Sequence, residues 1–582
     1  MRKITISFIL LLVLGLSSCT NTWLNVNKNV DAPDWVDPIL RLGPVLASYE
    51  GIAYDLRAVA PLVQYFGGTS SFVTTYGVSQ SYFVGSDNGG ESWRMTYWLQ
   101  GMNVENIIND GRSAGQFRYA GIGLTIKAYS WHILASLHAD IPVKDAYVPG
   151  LLSHNYDSQE YAYSMVRSWA KQAIAEFEKT DATVYPDSLS TQDLVYKGDA
   201  VKWKKFAYAV LARNYIAMSK KNIAYLDSAI ICADKSFTSA TDDPSLTFQA
   251  TGVSTTSNFF GVLRGNLTNV LTQSDYVAQV LTGTIPNYNS AGAVEGLSTY
   301  QMVTDTATLD PRAILLMGTL DPVAADLNTV KKGTYKFVGT KLGYTAACSL
   351  WGSASVPTIA LNGTGRWLYR DDAPWPLSSF AEIQFVKAEA LFLKGLKAEA
   401  LAAFKIAVSA HMDFVKRLIV STDKVSSARF TTLATDYLNS KFVNNLPLAN
   451  FTLSHIMMQK YVALYPWSLD TWNDLRRYHY DLVLGTGGVP VTGTSWTSDV
   501  VYHKTDADPA RVYKGFYLGA ANVENRRSKF ATTNLGSPCY RLRPRYNSEY
   551  MWNLPSLKLL LPIAGDADNY QCSMPWFSIP AN

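Results

Sequence analysis

The stretch HIMMQKYVALYPWSLDTWNDLRRYHY, His455–Tyr480, decides the fold. From Ile456 to Tyr465 it is apolar almost all the way round, and a helix without a polar face is normally buried among other helices. Pro466 ends that helix, because proline lacks the N–H and clashes with the preceding turn. A second helix is expected from Leu469 to about Tyr478, with Ser468 placed to cap it and Asp470 in its first turn. Arg476 and Arg477 fall in its last turn, where cations suit the helix dipole. The stretch therefore reads as a helical hairpin.

Working outward, the same texture recurs. Phe380–Lys394 carries apolar residues at Phe380, Ile383, Val386, Ala390 and Leu393, in steps of three or four. Gly395 suits a left-handed C-cap, and Ala398–Val415 follows with a small-residue face at Ala398, Ala402, Ala403 and Ala407. Asp199–Lys220 and Ile223–Thr238 form another pair, as do Glu91–Gly111 and Ala114–Ala139, in which Gly123, Ala128 and Ala135 lie between large residues. Ser158–Thr180 and Ile39–Tyr65 are further helical segments. The hairpins resemble tetratricopeptide units, whose period is about 34 residues. The chain is thus expected to be mostly α: a helix-hairpin scaffold interrupted by loop-rich insertions at about 67–90, 241–375 and 481–582.

Four of these stretches carry a resemblance. "QKYVALYPWSLDTWNDLRRY" (Gln459–Tyr478), "FAEIQFVKAEALFLKGLKAEALAAFKIAVSAHM" (Phe380–Met412), "YKGDAVKWKKFAYAVLARNYIAMS" (Tyr196–Ser219) and "YAGIGLTIKAYSWHILASLHADIPVKDAY" (Tyr119–Tyr147) resemble signatures of the SusD/RagB family, in the family's order. The resemblance implies a SusD-like α–α superhelix and a nutrient-binding outer-membrane lipoprotein. It also implies a TonB-dependent (SusC-like) transporter as partner, with the protein acting as its lid.

The beginning of the chain fits such a protein. Residues 1–18 read as a leader: Arg2 and Lys3, then an apolar run from Ile4 to Leu16 that is too short to span a bilayer comfortably. It ends in Leu16-Ser17-Ser18-Cys19, which resembles a lipobox with Cys19 as the lipidated residue. Residues 19–38 would be the tether and 39–582 one domain. The expected location is the outer membrane, lipid-anchored and facing the cell surface, although no acidic residue follows Cys19 until Asp31.

Composition narrows the chemistry. The chain has 582 residues with a formal charge of +4, which offers no basic stripe for nucleic acid. Cys232, Cys348, Cys539 and Cys572 show no metal-ligand spacing and read as buried thiols. There is no HExxH, GxSxG or Walker loop. No catalytic residue, metal or cofactor is expected. Asp371 and Asp372, the one conspicuous carboxylate pair, are sequence neighbours that point apart in an extended segment. Glu382 and Glu389 lie seven apart on one helix face. With Arg476 and Arg477 they are expected to form acid–arginine pairs that clamp two repeats together.

The positive signal is aromatic residues in the insertions. Sugar rings have apolar C–H faces, so a glycan site wants flat rings to stack on and polar groups for the hydroxyls. One cluster is Phe72, Tyr76, Tyr82, Phe83 and Trp93, with Gln80 and Asn88 nearby. The other is Tyr344, Trp351, Trp367, Tyr369 and Trp375, with Asn362 and Arg370. The ligand expected is an oligosaccharide, with a peptide as the alternative within the family. A repeat adaptor with no small ligand would instead leave these rings scattered.

Overall fold

The computed structural model describes residues 37–68, 90–182, 188–264, 271–274, 277, 280–281, 301–302, 310–317, 336–337, 367–421, 425–478, 540–542, 549, 551–560 and 573–579. The helices are α1 (Pro38–Ala47), α2 (Glu50–Val59), α3 (Gly101–Ser113), α4 (Phe117–His138), α5 (Gln159–Phe177) and α6 (Ala200–Ala217). They continue as α7 (Ala224–Lys235), α8 (Phe380–Leu393), α9 (Lys397–Arg417), α10 (Ser427–Leu438), α11 (Leu453–Ala463) and α12 (Ser468–Arg477). The strands are two or three residues long: β1 (Phe66–Gly68), β2 (Ser245–Leu246), β3 (Leu271–Gln273), β4 (Gln301–Met302), β5 (Lys336–Phe337) and β6 (Trp375–Pro376). They pair antiparallel as β1–β3, β2–β6 and β4–β5, which staples segments rather than building a sheet.

Each helix from α3 to α9 packs on the next, the stacking of a tetratricopeptide-like superhelix. The series does not break where the long insertion leaves it, since α7 packs directly on α8 although residues 236–379 lie between them. Small residues allow the close approach. A Cβ on Gly123 of α4 would stand 2.9 Å from Ile108 Cγ1 and 3.1 Å from Ile107 Cγ2 of α3. Helix starts are capped by local side chains: Asp199 Oδ1 accepts from the Val201 and Lys202 amides, and Ser379 Oγ from the Glu382 amide.

Gly395 ends α8 at φ +82°, and nothing lies within 4 Å of where its Cβ would be. Gly395→Ala should therefore cost only the backbone strain of the left-handed conformation, about 1 kcal/mol, measurable by urea unfolding.

The expected hairpin is present over 453–478, with α11 closing at Ala463, a cis Tyr465–Pro466 bond, and α12 starting at Ser468 with Trp467, not Ser468, as its N-cap. It folds back on the frame: α11 packs on α8, and α12 on α2 and α4. Tyr65, which follows α2, donates from its hydroxyl to the Tyr461 carbonyl at 2.5 Å and lies 2.7 Å from Thr471 Oγ1. Tyr461 in turn donates to the Val63 carbonyl at 2.9 Å.

The expected acid–arginine clamps are there with one partner changed. Glu389 of α8 takes Arg477 of α12 at 2.6 Å and Lys460 of α11 at 3.1 Å, and Asp474 binds the same two cations. Tyr478 adds a hydroxyl to Glu389 at 2.7 Å. Glu382 pairs instead with Arg213 of α6 at 2.5 Å. Arg476 donates to the carbonyls of Ser136 and Tyr540 and stacks 3.8 Å over the Trp472 ring. Burial alone would raise the Glu389 pKa, but Arg477 and Lys460 outweigh it and hold that carboxyl at about 2.

Candidate functional site

Two residues after Trp93 the helix leading into α3 widens. A short turn, Glu91–Arg94, passes into a π-helical segment, Met95–Gln100, before α3 begins at Gly101 (φ +31°). Such segments re-aim side chains and are frequent at functional sites. Asp55 of α2 holds the turn in place, accepting from the Ser92 amide at 2.8 Å and the Glu91 amide at 3.2 Å. Trp93 and Tyr97 then face one way, ring centroids 5.0 Å apart. Trp98, the next residue, is 69% exposed, with the Arg94 guanidinium 5.0 Å over its ring.

Opposite them runs the loop from Ile141 to Asp157, whose ends exchange backbone bonds at 3.1 and 3.0 Å. Asp157 Oδ2 accepts from the Val143 and Lys144 amides, and Asp145 Oδ2 from Asn155. Tyr147 sits at φ +66° and donates its hydroxyl to the Thr96 carbonyl at 2.8 Å, while Tyr97 donates to the Pro142 carbonyl at 2.6 Å. Loop and π segment are thus laced together by their own tyrosines.

A cleft of about 270 Å³ lies between them, lined by Trp93, Tyr97, Pro142, Ala146, Tyr147, His154 and Glu549. Asn553 fixes its polar end. The Asn553 amide donates to the His154 carbonyl and to Glu549 Oε2, both at 2.8 Å, and its Oδ1 accepts from Ser153 Oγ at 2.7 Å. The cleft therefore offers stacking faces, one imidazole and one carboxylate. Among its described residues there is no second carboxylate to make an acid–base pair. No cluster of metal-ligating side chains occurs among the described residues, and none of the described helices is long and apolar enough to cross a membrane.

A SusD-like family model, described as starch-binding and associating with outer membrane, matches residues 48–493. The chain belongs to the SusD-like family. No curated protein matches it. Solved SusD-like structures share the fold. A SusD/RagB family protein from Bacteroides thetaiotaomicron is 21% identical with a TM-score of 0.62, over 94% of this chain and 100% of that one. A SusD homolog from Parabacteroides distasonis is 17% identical, TM-score 0.62, over 94% and 99%. A chitin-binding SusD homolog from Flavobacterium johnsoniae is 15% identical, TM-score 0.58, over 93% and 99%.

Within this SusD-like frame the aromatic residues singled out by sequence divide. Trp93 lines the cleft. Trp367 and Trp375, expected to face ligand, are instead buried. Trp367 stacks on Tyr465 with planes 18° apart and meets Phe414 edge-on. Trp375 lies 5.1 Å from Trp467 and 5.0 Å from Phe260, on β6. Tyr369 is buried with its hydroxyl 2.9 Å from that of Tyr465. As placed, these rings fasten the C-terminal end of the long insertion to the α11–α12 hairpin. Asp371 and Asp372 do point apart, Asp371 accepting from the Leu263 amide and Asp372 pairing with Arg370. Phe72, Tyr76, Tyr82, Phe83, Tyr344, Trp351 and Cys19 lie outside the described residues.

Tyr97, Tyr147, His154 and Glu549 were not singled out by sequence. Tyr97 carried a signal, being four residues from Trp93 on one helical face. The others did not, because a loop and a segment some 450 residues away supply them.

Proposed function

We propose that the chain is a lipid-anchored outer-membrane binding protein that captures an oligosaccharide for a TonB-dependent transporter and serves as that transporter's lid. Cys19 would carry the anchor. The aromatic cleft supports the reading most directly: three rings with a polar edge suit a sugar's apolar faces and its hydroxyls, and its volume suits about one ring of a longer chain. Family membership and the likeness to a chitin-binding SusD homolog point the same way. Rings in the insertions, Phe72, Tyr76, Tyr82, Phe83, Tyr344 and Trp351, would extend the site along the glycan.

Calorimetric titration of the mature chain with malto- and chito-oligosaccharides tests this. Tyr97→Ala and Tyr147→Ala should each weaken binding about 10-fold, the loss of one ring contact. The paired change of Tyr76 and Tyr82 to Ala should weaken longer chains more than short ones. Unchanged affinity in all three variants would reject these rings as a site.

A further inference from the structure

Glu549 is 7% exposed and lines the aromatic cleft. One of its two oxygens, Oε2, is occupied, accepting from Tyr156 Oη at 2.5 Å and from the Asn553 amide at 2.8 Å. Both donors are neutral, and among the described residues no lysine, arginine or histidine forms an ion pair with it. Oε1 has no hydrogen-bond partner among them either. Elsewhere in the frame Glu382, Glu389 and Asp474 each touch a buried cation, while Asp55 and Asp193 have neutral donors on both carboxylate oxygens. With no counter-charge on it among the described residues, this buried carboxylate keeps one oxygen open to a cation that enters the cleft. The walls around it suit a cation as well, since Trp93, Tyr97 and Tyr147 present rings whose faces attract ammonium groups.

We propose that the cleft selects a sugar bearing a free amine, a 2-amino-2-deoxy hexose unit in its ammonium form, over neutral or N-acetylated sugars. This rests on the glycan-binding reading above and names the ligand class for its site. The ammonium donates to Glu549 Oε1, and the ring's apolar face stacks on the tyrosines. An N-acetyl group removes the charge and adds bulk at that position, and a hydroxyl offers Glu549 only a neutral donor.

The test is calorimetry on the mature full-length chain with three probes: a glucosamine trimer, an N-acetylglucosamine trimer and maltotriose. The glucosamine trimer should bind roughly 10-fold to 100-fold more tightly than either neutral trimer, the effect of a charged hydrogen bond joined to a cation–π contact. Glu549→Gln, which keeps an oxygen for Tyr156 and Asn553, should abolish that preference, bringing the glucosamine trimer to the level of the neutral trimers measured on the same variant. Equal binding of all three by the native chain overturns the amine preference while sparing the glycan reading. Binding of none of them overturns both. A preference that survives in Glu549→Gln overturns the role of this carboxylate. Should that variant fail to fold, the native chain's ranking of the three probes still decides the preference.

Discussion

Glu389→Ala is expected to destabilise the protein by about 3–5 kcal/mol, the cost of breaking a buried ion cluster by removing one member. Lys460 and Arg477 would remain in the interior with Asp474 as their one acid, and the Tyr478 hydroxyl would lose its acceptor. Because Glu389 sits on α8 while the cations sit on α11 and α12, the loss falls on the joint between frame and C-terminal hairpin. Guanidinium unfolding followed by tryptophan fluorescence measures it, since Trp472 reports from α12. A loss below about 1 kcal/mol, the usual value of a surface pair, would show that the cluster is solvated. The cluster also sets an acid response. A carboxyl depressed from its ordinary 4.5 to about 2 contributes stability that is fully present above 4.5 and is lost as pH falls through about 2. Asp474 is shifted upward, by burial first, and softens that response from the same cluster.

The second large effect is expected at Arg312. Asp310-Pro311-Arg312 forms a turn, as its sequence suggests, leading into a four-residue helix, Ala313–Leu316. Arg312 is wholly buried and grips Asp310 through Nε at 2.9 Å. It also reaches His411 Nδ1 of α9 at 2.8 Å and Gln459 of α11. That geometry requires a neutral His411 accepting at Nδ1, and burial together with the adjacent guanidinium drives its pKa well below the usual histidine value. Arg312→Ala strands a buried Asp310 and should cost about 3–5 kcal/mol. Arg312→Lys should recover only part, because an ammonium cannot copy the planar fork. Limited proteolysis separates local from global loss: early cleavage within 241–375 with an intact frame means that the insertion has come loose. A native-like digestion pattern and stability in Arg312→Ala would contradict this anchoring role.

Much of the frame can be read from residue spacing, because each repeat helix is short, two-faced and closed by a local signal. Phe380 to Leu393 shows its stripe, Gly395 its end, and Pro466 its corner. Helix α10 escaped that reading, since Ser427–Leu438 is rich in threonine and serine. Its buried Phe430, Ala434 and Tyr437, at intervals of four and three, were the signal. Ion-pair partners are another matter. That Glu382 faces inward follows from its place on α8, but its choice of Arg213 rather than Arg476 is set by how α6 and α8 meet. The aromatic residues show the same limit. Trp93 and Trp367 look alike in sequence, and only tertiary structure puts one at a cleft and the other under the frame. Glu549 carries no local mark at all, as its importance arises from Tyr156 and Asn553 beside it.

The bonds between Tyr65 and the Tyr461–Thr471 region join segments some 400 residues apart. Helix α2 and the residues just after it thus bury part of their surface against the α11–α12 hairpin, which is synthesised long afterwards. Such remote closures are slow to form, because the entropy of a very long loop is lost before any contact compensates it. A nascent chain halted before residue 455 would therefore leave Val63 and Tyr65 without the partners that cover them, open to chaperones and proteases. Quality control can read completion of this protein at its beginning.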